Sequence, residues 1–439
     1  MFFFEKRTFS RRTQTCEKSI HIMGALGRHN INRIGDTVNK AIALAALTLA
    51  AHMTAPYAAS LKVGAINPYS GPLALYGDEL ARGYQLAIDE INAAGGIHGK
   101  QVELLRGDAQ TPQQGIAAVE KLATQDGVDL FIGTYSSAVA NSASDAAMRF
   151  NKLYWDTNAL GEDLTERNLP NYIRSGPNAL TFADVSVEAI RDVVAPSLGK
   201  PLSDIKVWIE HEDSIFGTSI AKRQQELLTK AGATVVGTGK HNFRAIDLND
   251  AILRAKRASP DVWINTGYVP DTNLLLRSAR TQGFKPGARV TVATGDTKET
   301  LEAIGKDGLE GTYVISYPHP QMSAKYAPGA QDYLQKYRAK YGTDPIAPQS
   351  MTAYTGVKIL ADVLKKAKST SPEAVRKAAA SMDLPISSTA TGYGVKFSDK
   401  MQNERARPTM VQWQNGGLAT TYPIDARETP ATTAAPKAQ

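Results

Sequence analysis

The amino-acid sequence predicts an α/β protein with two doubly wound parallel-sheet lobes. From residue 61 onwards, short apolar strands alternate with amphipathic helices, which is the pattern of parallel sheets covered by helices on both faces. The strands are too many for one such sheet, so two lobes with a sheet each fit better. In the last third of the chain helices come first and strands follow, which indicates that the chain crosses back between the lobes.

The stretch that opens this pattern, residues 61–108, has the features of a βαβ unit. An apolar strand (61–66) leads through a turn-rich loop (67–76) into a helix (78–94), and a second strand follows at 101–105. Apolar residues recur along the helix at the spacing of one buried face, and two glycines end it. The first loop should face the carboxyl end of the sheet, where open α/β folds bind ligands. An ordinary connection between strand and helix is the alternative.

The remaining elements continue the alternation. Capping residues, prolines at first helical positions and apolar periodicity predict helices at about 112–125, 136–150, 182–198, 217–231, 249–258, 271–282, 328–341, 349–368 and 372–381. Apolar runs predict strands at 128–133, 153–156, 205–210, 234–236, 261–266, 289–293, 393–397 and 410–414.

Residues 1–60 are predicted to be a leader with a signal peptide. Arg28, Arg33 and Lys40 precede an apolar run, AIALAALTLAAHM, and small residues follow it, which is the composition of a secretory signal. This run of 13 residues is too short to span a bilayer. Met23 is a second candidate start, and the single cysteine, Cys16, lies in this leader. We therefore expect an exported protein without a membrane anchor, whose mature part lacks cysteine.

Charge and motifs argue against several classes of function. The formal net charge is +7, but residues 1–60 contain eight basic and three acidic residues, which leaves 42 basic and 40 acidic residues. Because basic and acidic residues nearly balance, the chain offers no basic patch for phosphates, and we expect no nucleic-acid partner. The seven histidines show no metal-ligand spacing, the segment GGIHGK lacks two positions of a nucleotide-binding loop, and no catalytic motif emerges. We expect no metal, no cofactor and no enzymatic activity.

Several blocks of the chain resemble one protein family. They are SGPLALYGDELARGYQLAIDEINAAGGIHGKQVEL, DGVDLFIGTYSSAVANSASDAA, LTERNLPNYIRSGPN and ASPDVWINTGYVPDTNLLLRSARTQGFKP, in that order. Over about residues 61–425 the chain is similar to the leucine/isoleucine/valine-type periplasmic binding proteins of ABC importers. The resemblance implies the type I periplasmic binding protein fold, in which two α/β lobes joined by three hinge crossovers close on a ligand like a clamshell.

The resemblance also divides the chain into lobes. Lobe 1 is expected to comprise residues 61–178 plus 318–394, and lobe 2 residues 179–317 plus 395–425, with crossovers near 176–179, 317–319 and 393–396. The tail, residues 426–439, has little apolar content and is expected to be disordered.

A carboxylate site is predicted where the strand at 128–133 passes into a helix. Tyr135, Ser136 and Ser137 stand there, and a helix start offers free backbone N–H groups, a positive dipole end and here two hydroxyls. Simple N-capping by serine is the alternative. The resemblance implies that Ser137 contacts the head group of an amino-acid ligand.

The resemblance places four more residues at the ligand. It implies that Tyr76 closes over the ligand side chain, that Tyr268 contacts the ligand from lobe 2 and that Phe216 supplies an apolar wall. Asp296 aligns with an acidic position that binds the α-ammonium group. The alternatives are ordinary packing for Tyr76 and Phe216 and a helix cap for Asp296.

The segment YWDTNALGEDL departs from the family pattern. Relatives that bind branched-chain amino acids have here a threonine whose hydroxyl and amide hold the carboxylate, and this chain has Leu160, preceded by Asn158 and Ala159. Leucine donates no side-chain hydrogen bond, and an unpaired buried carboxylate is costly. Either Ser137 and backbone amides suffice, or the ligand differs.

Together these features predict an extracytoplasmic solute-binding receptor. We expect it to deliver a small carboxylate-bearing ligand, a hydrophobic amino acid as first choice, to ABC permease subunits in the inner membrane. It would act as a monomer in the periplasm. Aromatic acids or small amides are the alternative ligands, and a ligand-sensing protein of the same fold is the alternative function.

Overall fold

The structure, a computed structural model, describes residues 60–428. The predicted signal peptide, with Met23 and Cys16, and residues 429–439 of the predicted tail lie outside the described residues. Between residues 60 and 428, no helix is both long and apolar enough to cross a membrane.

The first sheet contains five parallel strands. They are β1 (Leu61–Asn67), β2 (Val102–Asp108), β3 (Leu130–Gly133), β4 (Tyr154–Asp156) and β5 (Tyr172–Arg174). Their order across the sheet is β2-β1-β3-β4-β5, and every pair is parallel. The connecting helices are α1 (Ala74–Ala93), α2 (Pro112–Thr124), α3 (Ser137–Arg149) and α4 (Asp163–Glu166). The opening βαβ unit is therefore confirmed, with its helix starting four residues earlier than predicted.

The middle of the chain builds a second sheet in the same manner. Its strands are β6 (Lys206–Glu212), β7 (Thr234–His241), β8 (Val262–Thr266), β9 (Ala288–Val292) and β10 (Tyr313–Ser316). The helices are α5 (Ala179–Ala189), which continues through a π-helical turn (Ile190–Val194) into Ala195–Ser197, then α6 (Ile215–Lys230), α7 (Asn249–Ala258), α8 (Val269–Thr281), α9 (Lys298–Ile304) and α10 (Lys306–Leu309). All residues of β3, β8 and β10 are buried, as expected for parallel strands covered on both faces.

The last third supplies helices first and strands afterwards. The elements are α11 (Ala330–Tyr341), α12 (Gln349–Ala367), α13 (Pro372–Ala380), β11 (Asp383–Leu384), β12 (Val395–Lys396), β13 (Thr409–Gln414) and β14 (Gly417–Tyr422). Helix α12 packs against α1 so closely that a Cβ added at Gly83 would lie 2.0 Å from the carbonyl oxygen of Ser350. Glycine in the apolar stripe of α1 thus permits this close contact.

The chain passes between the two sheets three times, as predicted. It leaves the first sheet after β5, leaves the second after β10 and returns to the second with β13, where β13 and β14 add an antiparallel edge to give the order β14-β13-β10-β9-β8-β6-β7. Before this return, Val395 pairs with Leu384 and Gln402 forms a bridge with Arg174 of the first sheet. This pairing favours a third crossing at 404–408, later than the predicted segment 393–396. The division into lobes remains a prediction.

Candidate functional site

The predicted ligand residues gather at the carboxyl ends of the strands of both sheets. A small cavity lies there, and it is lined by Tyr135, Ser137, Leu160, Phe216, Tyr268, Ala293 and Tyr317. The first three follow β3 and β4, and the others follow β6, β8, β9 and β10. This is the edge at which open parallel sheets bind ligands. Sequence reasoning missed Ala293 and Tyr317, although each directly follows a buried strand.

Stacked aromatic rings form one wall of this cavity. The rings of Tyr76 and Tyr135 stack with centroids 4.1 Å apart, and Tyr135 lies 5.6 Å from Tyr268. Tyr268 in turn contacts Phe216 at 5.2 Å and Phe243 at 4.9 Å. These residues come from strand ends of both sheets, so the wall joins the two predicted lobes. Phe243, at the end of β7, was not predicted from the sequence.

The start of α3 offers hydrogen-bond donors at the cavity. Ser136 occupies the N-cap position, but its side chain makes no capping hydrogen bond. The Ser137 hydroxyl oxygen accepts a hydrogen bond of 2.9 Å from the backbone N–H of Gly161, which leaves its own proton free to be donated. The first N–H groups of a helix have no partner within the helix and sit at its positive end. This helix start is therefore suited to an anion.

The loop after β4 is held by two buried charged side chains. The Asp156 carboxylate accepts hydrogen bonds from the N–H groups of Asn158 (3.0 Å) and Ala159 (2.9 Å). The Arg174 guanidinium donates to the carbonyl oxygens of Ala159 (2.9 Å) and Gly161 (2.8 Å). Burial raises the pKa of Asp156 to about 7, although the two amides and the charge of Arg174 act in the opposite direction.

This arrangement decides which groups of the loop are left for a ligand. The amides of Asn158 and Ala159 are used by Asp156, so neither is free for a carboxylate. The carbonyl of Leu160 accepts from Ala179, whereas the N–H of Leu160 has no partner within residues 60–428. Both polar atoms of the buried Asn158 side chain are also unpaired. The Leu160 amide and the Asn158 side chain are therefore the groups that this loop can offer.

A second polar position lies at Asp296, after β9. Asp296 is 3% exposed, and its Oδ2 accepts hydrogen bonds from the Ser316 hydroxyl and from His319 Nε2, the latter at 2.8 Å. Its Oδ1 is buried and has no hydrogen-bond partner in the described part of the chain. Helix α9 is capped by Thr297, whose hydroxyl accepts from the Thr300 N–H, so Asp296 is not the cap. Sequence reasoning missed Ser316 and His319.

The charge of Asp296 acts on Tyr76, one of the residues of the aromatic wall. Burial raises the pKa of the Tyr76 hydroxyl above its usual range, and the negative charge of Asp296 raises it further. The Tyr76 hydroxyl makes no hydrogen bond within residues 60–428. The charge of Asp296 therefore acts on the ring that stacks on Tyr135, and Asp296 and Tyr76 each keep a buried oxygen without a hydrogen-bond partner among residues 60–428.

A second buried histidine–aspartate pair supports Tyr268. His241 Nε2 lies 2.8 Å from Asp271 Oδ2, and His241 Nδ1 lies 3.1 Å from Glu210 Oε1. The other oxygen of Asp271 accepts from the Tyr268 N–H at 2.9 Å. Burial alone would lower the pKa of His241, but its hydrogen bonds to Asp271 and Glu210 and their charges outweigh burial and raise it to about 9. Both ring nitrogens of His241 and both carboxylate oxygens of Asp271 therefore have hydrogen-bond partners.

Metal-binding clusters of three or more histidine, cysteine, aspartate or glutamate side chains do not occur among residues 60–428. The groups that remain for a ligand are a helix start with a hydroxyl, the Leu160 amide, the Asn158 side chain, the unpaired oxygen of Asp296 as an acceptor, and a set of aromatic rings. Such a set can hold a small molecule with an anionic end, a hydrogen-bond-donating end and an apolar body.

Known proteins match this chain over most of its length. The sequence model of the periplasmic binding protein family matches residues 60–417. The Leu/Ile/Val-binding protein homolog 7 of Brucella suis biovar 1 (strain 1330) is 37% identical over 383 residues, 87% of this chain and 96% of the relative. Homolog 8 of Brucella abortus (strain 2308) is 37% identical over 369 residues, 84% of this chain and 92% of the relative.

Solved structures share the fold. The branched-chain amino acid transporter substrate binding protein LivJ from Streptococcus pneumoniae, in complex with isoleucine, has a TM-score of 0.69 at 24% identity and covers 82% of this chain and 97% of its own. A solute binding protein of an ABC transporter from R. palustris, in complex with benzoate, has a TM-score of 0.70 at 16% identity, over 85% of this chain and 98% of its own. The fold and the matched length agree with the resemblance read from the sequence, and the chain belongs to the periplasmic binding protein family.

Proposed function

We propose that this protein is a periplasmic solute-binding receptor that delivers a small carboxylate-bearing ligand, a hydrophobic amino acid as first choice, to ABC permease subunits in the inner membrane. The observation that carries the proposal is the pairing of a helix start suited to an anion at Ser137, which lines the cavity, with an unpaired acidic oxygen at Asp296, whose charge acts on Tyr76 in the adjoining aromatic wall. An α-amino acid carries a carboxylate and an ammonium group, and the rings accommodate an apolar side chain.

The roles of the site residues follow from their contacts. The carboxylate would bind the first N–H groups of α3, the Ser137 hydroxyl and the Leu160 amide. The ammonium group would bind Asp296 Oδ1. Backbone amides thus replace the hydroxyl that the resemblance places at position 160. Ser136, Asn158 and Ala159 would shape the cavity beside these groups.

The aromatic residues would enclose the ligand side chain. Tyr76, Tyr135, Phe216 and Tyr268 are each buried, and their rings are in mutual contact. They would cover an apolar side chain on several sides and exclude water from the charged groups. Phe216 contributes apolar area only, whereas the tyrosine hydroxyls can also donate hydrogen bonds.

Binding would be coupled to closure of the lobes. Tyr135, Ser137 and Leu160 follow strands of the first sheet, whereas Tyr268 and Asp296 follow strands of the second. A ligand that contacts both sets stabilises the closed arrangement, because the open one offers it only one set. The protein would act as a monomer, and transfer to the permease needs no chemical reaction.

A ligand screen tests the proposal. The purified protein is titrated with leucine, isoleucine, valine and phenylalanine, and its thermal unfolding and small-angle scattering are followed. A true ligand at a hundredfold excess over Kd should raise the free energy of unfolding by roughly 2.7 kcal/mol, and the radius of gyration should fall on closure. Stabilisation by none of the amino acids or of the acids named next would contradict a receptor for small carboxylates.

A second candidate ligand class is supported by the aromatic wall and by Leu160. The stacked rings of Tyr76 and Tyr135 would suit the flat ring of an aromatic acid or amide. The unpaired oxygen of Asp296 argues against it, because an acid without an amino group would leave this buried oxygen without a donor. Benzoate, 4-hydroxybenzoate and benzamide belong in the same screen. A ligand-sensing role of the same fold would be favoured if a ligand binds but a strain lacking the protein takes it up at an unchanged rate.

A further inference from the structure

The Asp296–His319 pair differs from an ordinary buried ion pair in that half of the carboxylate is left open. Oδ2 is saturated by the Ser316 hydroxyl and by His319 Nε2, while Oδ1 is buried and has no partner among the described residues. His319 is itself 6% exposed and makes no other side-chain hydrogen bond in residues 60–428. A buried polar atom without a partner needs an explanation in a native protein.

The structure contains a matched pair that lacks this feature. His241 is also 6% exposed, and its Nε2 also lies 2.8 Å from an aspartate Oδ2, that of Asp271. There the second carboxylate oxygen accepts from the Tyr268 N–H, and the second histidine nitrogen contacts Glu210. A histidine and an aspartate at the same distance therefore occur twice. In the closed pair both carboxylate oxygens are occupied, and in the open pair one carboxylate oxygen has no partner among the described residues. Only the open pair has an oxygen to offer.

We propose that His319 is a specificity-determining residue that prepares Asp296 for the ammonium group of the ligand. This inference rests on the proposed function. With Ser316, His319 fixes Oδ2 and so the orientation of the whole carboxylate, leaving Oδ1 to receive a donor. Hydrogen bonds to a buried carboxylate also stabilise its charged form. Without them, part of the affinity for a cationic group is lost, whereas affinity for the rest of the ligand is kept.

His319 lies in a segment that crosses between the two predicted lobes. It stands two residues after Tyr317, which lines the cavity, in the segment where the chain leaves the second sheet after β10. Asp296 follows β9 of the same sheet. An ammonium group at Oδ1 therefore binds a carboxylate that is fixed to the crossing segment itself.

The test compares leucine with 4-methylpentanoate, which is leucine without its amino group. Kd is measured by calorimetry for both compounds with the wild type and with His319→Leu, His319→Gln and His241→Gln. The wild type should prefer leucine. His319→Leu should lose about tenfold or more of this preference, because a hydrogen bond to a charged group is removed. His319→Gln, whose amide nitrogen can replace Nε2, should keep the preference within about threefold.

His241→Gln is the matched control. Any effect that it transmits through Tyr268 should shift both affinities together, so the ratio of the two should stay that of the wild type. If His319→Leu does not fold, His319→Asn serves in its place, since its amide ends short of Oδ2. An unchanged preference in His319→Leu or His319→Asn, with tight leucine binding by the wild type, would overturn the role of His319 alone. If the wild type binds neither compound, this inference is overturned, whereas the proposed function is overturned only if the other amino acids and acids of the screen also fail to bind.

Discussion

Two buried histidine–aspartate pairs on the second sheet have the same internal geometry and different surroundings. In each, the histidine Nε2 lies 2.8 Å from an aspartate Oδ2. The pair His241–Asp271 is closed by Glu210 and by the Tyr268 N–H, so it orders the start of α8. The pair Asp296–His319 leaves Oδ1 open beside Tyr76. The two pairs thus differ in whether every hydrogen-bonding group of the aspartate is occupied. The pair with an unoccupied oxygen is the one that we propose receives the ligand.

The largest effect is expected when the closed pair is broken. His241→Leu leaves the carboxylates of Asp271 and Glu210 buried without their common cation, and removal of one partner of a buried pair costs roughly 3–5 kcal/mol. Urea unfolding should show this loss in the free energy of unfolding. Leucine should still be preferred over 4-methylpentanoate by the folded fraction. A loss below about 1 kcal/mol would mean that the pair does not stabilise the lobe.

The pH dependence of stability should separate the pairs next. His241 has its pKa raised to about 9 in the folded protein, from 6.5 in the unfolded chain. Its contribution is therefore fully present below pH 6.5 and is lost as pH rises through about 9. At about 1.4 kcal/mol per pKa unit the difference is on the order of 3 kcal/mol. Comparing urea unfolding of wild type and His241→Gln at pH 6 and pH 9.5 isolates it. A difference between the two proteins that does not shrink on going to pH 9.5 would contradict the shift.

Breaking the open pair should affect binding rather than folding. Asp296→Asn removes the negative charge that receives the ammonium group, and we expect the leucine Kd to rise by about 100-fold, roughly 2.7 kcal/mol. Binding of 4-methylpentanoate should be unchanged or stronger. The free energy of unfolding without ligand should change by less than about 1 kcal/mol, because the substitution removes a buried charged oxygen that has no hydrogen-bond partner among the described residues.

The reciprocal variant is the control for this comparison. Asp271→Asn should lower the free energy of unfolding, because His241 and Glu210 lose their partner, and should leave the preference for leucine intact. If Asp271→Asn changed the preference as strongly as Asp296→Asn, the distinction between a closed and an open pair would have no functional meaning.

Much of the fold could be predicted from the sequence because many of its determinants are local. Apolar runs, capping residues and glycine stops predict β1, α1 and the alternation that follows, and these features act within a few residues of one another. Strand β14 was not predicted, because Gly417–Tyr422 contains little apolar sequence and gains its place by antiparallel pairing with β13. The position of the third crossing depends in the same way on contacts across the fold, such as the bridge between Gln402 and Arg174.

The site could be predicted in part. Tyr135, Ser137 and Tyr268 follow strand ends, and strand ends can be located from sequence. Asp156, by contrast, takes the amides of Asn158 and Ala159, and this is visible only once the loop geometry is known. His319 and Ser316 reach Asp296 from 23 and 20 residues away, and no spacing rule connects them. The resemblance therefore pointed to Asp296, but no sequence pattern pointed to the two donors that occupy one of its oxygens.

The smallest effect is expected from Ser316→Ala, which removes the second donor to Asp296 Oδ2. His319 still holds that oxygen, so the carboxylate keeps its orientation and loses only one hydrogen bond, from an uncharged donor. The leucine Kd should rise about fivefold, about 1 kcal/mol, with little change for 4-methylpentanoate. Thr297→Ala, one residue from Asp296, is the matched control. It removes the cap of α9 and should cost about 1 kcal/mol of stability without changing the preference. If the two variants behaved alike in calorimetry, proximity to Asp296 rather than the hydrogen bond to Oδ2 would set the affinity.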